Sequence, residues 1–106
     1  MIKYKNNEKA LLTEIQSYVD KTYEGHYSGK GGVQANDLIE STGLSMGFYL
    51  GNIFKYGARY GKKKGANRAD LIKIIHYGLL ALNEHDRSLN EDKWKHNWNF
   101  KKLCHY

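Results

Sequence analysis

Four side chains able to hold an anion recur in one row: Asn52, Lys55, Arg59 and Lys62, spaced i, i+3, i+7 and i+10. At about 100° per residue, helical spacing gathers them with Phe48 on one side and sends Met46, Leu50, Ile53, Gly57 and Tyr60 to the other. The second set reads as a core face. The first is either a solvated helix face or a ligand-binding one. Asp70, Lys73 and Tyr77 make a second narrow row, at i, i+3 and i+7, on the helix that follows. Taken singly, Asp70 can serve as a helix cap and Lys73 can snorkel its ammonium into water. Two helices that both present cations beside small residues instead suggest a shared pocket for phosphate oxygens.

Gly47, Gly51 and Gly57 bear on the same stretch. Each costs a helix interior about 1 kcal/mol against Ala, so three forfeit about 3 kcal/mol of the about 5–15 a domain usually holds. Close approach of another backbone or of a ligand is the usual offset, and Gly47-xxx-Gly51 offers a flat strip one turn long. A further anion-binding candidate is the stretch Tyr23 to Gly32, whose four glycines in ten residues predict a loop edged by His26, Tyr27 and Lys30. Its backbone N–H groups can point at an anion. It is not a P-loop: three residues separate Gly25 from Gly29 where four are needed, and Gly31 follows Lys30 where Ser or Thr should hold Mg²⁺. Lys62-Lys63-Lys64 completes five cations between Lys55 and Lys64, which either complement a helix C-terminus or make the strongest positive potential in the chain.

The elements that must position these groups read as helices. Leu11, Ile15, Tyr18 and Val19 predict a first helix over 7–21, with Glu8, Glu14, Gln16 and Asp20 outward. Ala35, Leu38 and Ile39 predict a short second one over 33–42, turned away from Asp37 and from Glu40 or Ser41 and stopped by Gly43. Ser45 is placed to cap the central helix, which Gly61 ends. Asn67-x-x-Asp70 opens the next with a capping-box pattern, and apolar residues on nearly every side from Leu71 to Leu82 predict the buried centre of the bundle. Beyond Asn83 the pattern decays. Lys93 to Lys102 interleaves aromatics with cations, so Trp94 and Trp98 either stack on bases or pin a terminal helix to the core. The expected fold is all-α: one domain over 1–106, a bundle of about four helices with a Gly-rich loop and an aromatic, basic tail over 87–106.

A chain of 106 residues suffices for one self-supporting core. A formal charge of +6 and a sequence pI near 9.4 favour an anionic partner: a nucleotide, nucleic acid or an acidic surface. The single cysteine, Cys104, excludes an internal disulfide framework and a cysteine-rich zinc site, and the five histidines show no metal-ligand spacing. With no run of 18 apolar residues and no signal-peptide core at Met1 to Lys5, the expected location is a cytosol, without membrane contact.

Several runs resemble a domain family found mainly in bacteriophages, whose best-known member is the small nucleotide kinase of T-odd coliphages. They are His26-Tyr27, Asp37-Leu38-Ile39-Glu40, Phe48 to Tyr56 with its Gly51-Asn52-x-x-Lys55-Tyr56, Arg59-x-Gly61-Lys62-Lys63, and Asp70-Leu71-Ile72-Lys73 with Tyr77. The likeness spans roughly residues 25–82. It implies a functional set of His26, Tyr27, Asn52, Lys55, Tyr56, Arg59, Lys62, Asp70 and Lys73. The implied activity is phosphoryl transfer from ATP to a nucleoside monophosphate in a host cytoplasm, a reaction that is mostly positioning and charge neutralisation. Lys55, Arg59, Lys62 and Lys73 would clamp phosphates, Asp70 would hold Mg²⁺, and Tyr27 or Tyr56 would stack on a base. On that expectation Lys55, Arg59 and Asp70 are catalytic, while Lys30, Lys63, Tyr77 and the rest bind ligand. A non-catalytic oligomer that sequesters a nucleotide, for instance a host defence signal, is the alternative. Nucleic-acid binding through Lys62-Lys63-Lys64 and the tail is a third.

Overall fold

The computed structural model describes residues 1–26, 35–62 and 65–90. Four helices follow in order: α1 (Glu8–His26), α2 (Ala35–Ser41), α3 (Ser45–Arg59) and α4 (Arg68–Asn90). Among the described residues there is no strand, so the fold is the expected all-α one. None of these helices is long and apolar enough to cross a membrane.

α3 and α4 form an antiparallel hairpin that carries most of the packing. Two left-handed glycines shape its turn, Gly61 at φ 83° and Gly65 at φ 67°. The Gly61 N–H donates to Gly65 O at 2.9 Å, and the Asn67 N–H donates to the same carbonyl at 2.9 Å. Only glycine takes such φ values without strain. Gly43, at φ 77°, ends α2 as expected, with its N–H on Glu40 O.

The buried side of α3 differs from the expected one. Ser45 and Tyr49 are buried and Asn52, Tyr56 and Arg59 half-buried; of the expected core face Met46 and Ile53 are half-buried as well, whereas Leu50 is 43 % exposed and Gly57 and Tyr60 are also exposed. Aromatic edges and hydrogen-bonded polar groups on α4 select the Tyr49–Tyr56 side over the more apolar one. Ser45 is the first helical residue rather than the cap. Leu44 takes that position without a side-chain cap, and Ser45 Oγ lies buried with no partner. At α4 the Asn67 cap does form, its Oδ1 accepting from the Ala69 N–H at 3.0 Å, but Asp70 turns to α3 instead of closing the box.

α4 is not buried all round. Asp70, Glu84 and Ser88 are buried, and Leu71, Ile75, Leu79 and Leu82 are exposed. It also runs seven residues past Asn83, because Glu84 accepts from Arg87 at 2.8 and 2.9 Å and from Ser88 Oγ at 3.1 Å, tying that polar turn together at i+3 and i+4. The expected tail from residue 87 therefore begins in helix, and Trp94 to Lys102 lie outside the described residues.

α1 continues through Tyr23 to His26, where the glycine count predicted a loop, so the N-terminal part of that stretch is helical. Ile15 is its buried residue, while Leu11, expected inward, is 41 % exposed. α1 meets α4 through the Tyr18 and His76 rings, edge-on at 5.5 Å, and through a two-pronged pair in which Arg68 donates to both Glu14 oxygens, one at 2.6 Å. The hydrogen bond from Arg68 draws the Glu14 carboxyl below its ordinary pKa. Glu40 of α2, expected outward, accepts from the Tyr49 hydroxyl at 3.3 Å.

Candidate functional site

The end of α3 and the start of α4 bring six of the expected residues into one cluster. Tyr56 is its centre. Lys55 Nζ lies 4.7 Å, Arg59 Cζ 4.9 Å and Lys73 Nζ 5.0 Å from the centroid of its ring. The Tyr77 ring runs nearly parallel to it, at 6.2 Å and 17°. Spacing explains the convergence: Lys55, Tyr56 and Arg59 fall within the last turns of α3, and Lys73 and Tyr77 one turn apart on the strand of side chains that α4 turns towards them.

Asp70 closes the cluster from below. Its side chain is 0 % exposed, with Oδ1 accepting from Arg59 Nη2 at 2.6 Å and from Nε at 3.2 Å. That hydrogen bond pushes the Arg59 guanidinium further above its ordinary pKa, aided by the carboxylate's charge. Asp70 Oδ2 is buried without a hydrogen-bond partner. Asp70 thus orients Arg59, whose side chain remains 31 % exposed. Of the three cations only Arg59 is paired with Asp70, and among the described residues no acid pairs with Lys55 or Lys73. An array of this kind, partly exposed and held by a phenol ring, can receive an oxyanion through charge-assisted hydrogen bonds.

The Tyr56 ring faces Tyr77 and has the three cations within about 5 Å of its centroid, so it is the platform around which they gather. Asn52 spends its amide on its own helix, Nδ2 donating to Phe48 O at 2.8 Å. Lys62 is exposed beyond the end of α3. His26 ends α1, and Tyr27, Lys30 and Lys63 lie outside the described residues. Among the described residues no three His, Cys, Asp or Glu side chains are grouped to hold a metal ion.

Sequence reasoning passed over the aromatic wall behind the cluster. Tyr49, Phe48 and Tyr77 meet at centroid distances of 6.0–6.3 Å, and Tyr77 also flanks His76 at 6.4 Å. The signal was present, since Tyr49 and Tyr56 stand seven apart on one face. Burial pushes the Tyr77 hydroxyl above its ordinary pKa, with the Tyr56 and Tyr18 hydroxyls adding to the shift. Burial also holds the His76 imidazole below its ordinary value.

The fold therefore prefers neutral His76. This contribution to stability is complete above the unfolded-state pKa of about 6.5 and is lost as pH falls from there through the lower folded value. Urea midpoints should accordingly drop on acidification through that window, and His76→Gln should flatten the drop, with the His76 titration itself followed by NMR.

Residues 21–78, which include α2, α3 and the cluster, match the family described as "Protein of unknown function (DUF3310)". No curated protein matches the chain, and no solved structure does.

Proposed function

The chain belongs to the DUF3310 family, and from the cluster built inside that segment we propose that it binds the phosphate of a nucleotide or another phosphate-bearing small molecule. One observation carries this reading: Lys55, Arg59 and Lys73 converge within about 5 Å of the Tyr56 centroid while Asp70, the one acid among them, is sealed beneath Arg59. Arg59 supplies a planar fork held in place by Asp70; Lys55 and Lys73 supply mobile point charges. Like charges gathered beside a half-buried aromatic wall repel one another, and a bound anion relieves that repulsion.

Nucleoside monophosphate kinase activity in a phage-encoded protein is a second reading. It is favoured by the resemblance of the runs Gly51-Asn52-x-x-Lys55-Tyr56 and Arg59-x-Gly61-Lys62-Lys63 to the coliphage kinase family. The cluster suits its phosphate clamp. It does not suit Mg²⁺ on Asp70, which is fully buried and whose Oδ1 is committed to Arg59. In this reading the metal would arrive with ATP.

Calorimetry against mono-, di-, tri- and cyclic nucleotides and inorganic phosphate tests the binding, and recovery of the bound nucleotide, intact or phosphorylated in the presence of ATP and Mg²⁺, separates the two readings. Phosphorylated dTMP or dGMP supports the kinase; intact ligand supports sequestration. Binding only to oligonucleotides, with affinity falling steeply as salt rises, would replace both with the nucleic-acid reading. No binding to any of these would overturn all three.

A further inference from the structure

The side of α3 turned away from α4 carries Gly47, Leu50, Gly51, Phe54, Gly57 and Ala58, all exposed, with Phe54 76 % and Leu50 43 % exposed. No ionisable residue interrupts this stripe. A Cβ built on Gly47, Gly51 or Gly57 would meet nothing within 4 Å, so among the described residues nothing accounts for three glycines inside one helix. We infer that this face is the seam of a two-fold symmetric dimer, in which α3 packs antiparallel against α3 of a second copy.

The stripe complements itself. Gly47, Gly51, Phe54 and Ala58 stand at i, i+4, i+7 and i+11, on one narrow line along the helix. In an antiparallel register whose facing residue numbers sum to 105, Phe54 of each copy drops onto Gly51 of the other, and Gly47 meets Ala58. Bulk faces a gap at every contact, which is the condition for an isologous interface. A parallel pair would set Phe54 against Phe54 at the same height and hold the glycines apart. The antiparallel register also opposes the helix dipoles and keeps the two Arg59 residues about 20 Å apart along the axis.

Exposure favours a second copy as well. Beside the exposed glycines, Phe54 is 76 %, Leu44 69 % and Leu50 43 % exposed, a contiguous apolar patch of the kind that marks an interaction surface. Leu44 and Phe48 line an open cleft of ≈ 570 Å³ together with Ile39, Thr42 and Gly47, so cleft and stripe are continuous at Gly47. Ala58 of the second copy would sit at its mouth. The cations of the anion site lie on the flank of this seam or beyond it, so the dimer leaves Arg59 and Lys73 accessible.

Analytical ultracentrifugation of the full chain over a wide concentration range tests the inference. The expected mass is an even multiple of 12.3 kDa. Phe54→Arg should weaken self-association about a hundredfold or more while helicity by circular dichroism is retained. Independently of that variant's folding, Gly51→Cys and Phe54→Cys, each made with Cys104→Ser, are mixed and oxidised. Mixed 51–54 disulfides should then dominate over 51–51 and 54–54 pairs, which the register offsets by three residues, about 4.5 Å, along the axis. A monomer at every concentration, a folded Phe54→Arg chain of unchanged mass, or a preference for like pairs would each overturn it.

Discussion

Lys73→Gln will weaken binding of a phosphate-bearing nucleotide about ten- to a hundredfold and leave the unfolding midpoint almost unmoved. A hydrogen bond to a charged group is worth about 1.5–3 kcal/mol, and each 1.4 kcal/mol is about tenfold in affinity. Lys73 is half-buried on α4 and its ammonium faces the Tyr56 ring with no acid beside it, so its loss strands no buried partner. Lys55→Gln should behave alike, and Lys73→Arg should keep most of the affinity. Asp70→Asn differs in kind: it releases Arg59 from a held orientation without touching the ligand, so it should weaken binding and unfolding resistance together. Calorimetry beside thermal melts reads both quantities, and a Lys73→Gln affinity within about threefold of the parent would remove the cluster as the binding site.

Tyr49→Ala will lower stability by about 3–5 kcal/mol, the loss expected when a large buried aromatic leaves a cavity. Tyr49 is 1 % exposed and, with Ile15, is one of two buried apolar side chains among the described residues. For a domain of this size that is a fall in melting temperature of about 15–30 °C. Tyr49→Phe should cost about 1 kcal/mol, since it gives up only the hydroxyl that donates to Glu40. Denaturant midpoints measure both, and a Tyr49→Ala loss under about 1 kcal/mol would show that the α3–α4 seam is not the core.

The helices and the gathering of Lys55, Arg59, Asp70, Lys73 and Tyr77 were legible because cations at helical spacing on two neighbouring helices repeat regardless of which side faces inward. The inward side of α3 was not. Hydropathy ranks Met46, Leu50 and Ile53 above Tyr49, Asn52 and Arg59, but α4 offers Tyr77 and a buried Asp70, and aromatic edges and a charge-assisted pair outweigh aliphatic area at that contact. Asn67 with Asp70 reads as a local cap until a partner eleven residues back is known. The helical run from Tyr23 to His26 escaped for the opposite reason: Gly25 lowers helix propensity but does not forbid a last turn. The exposed apolar side of α3 follows from the same choice, since turning Tyr49 and Tyr56 inward leaves Leu50 and Phe54 outside while Met46 and Ile53 stay half-buried.

The turn closed by Gly61 and Gly65 has a kinetic consequence. Arg59 and Asp70 are eleven residues apart along the chain, whereas Arg68 reaches Glu14 across fifty-four. Chain closure over about ten residues takes about 10–100 ns and loses little entropy, and longer closures lose progressively more. The cations around Tyr56 are therefore expected to gather within the first hairpin to form during refolding, with the α1 helix docking afterwards onto a cluster already made.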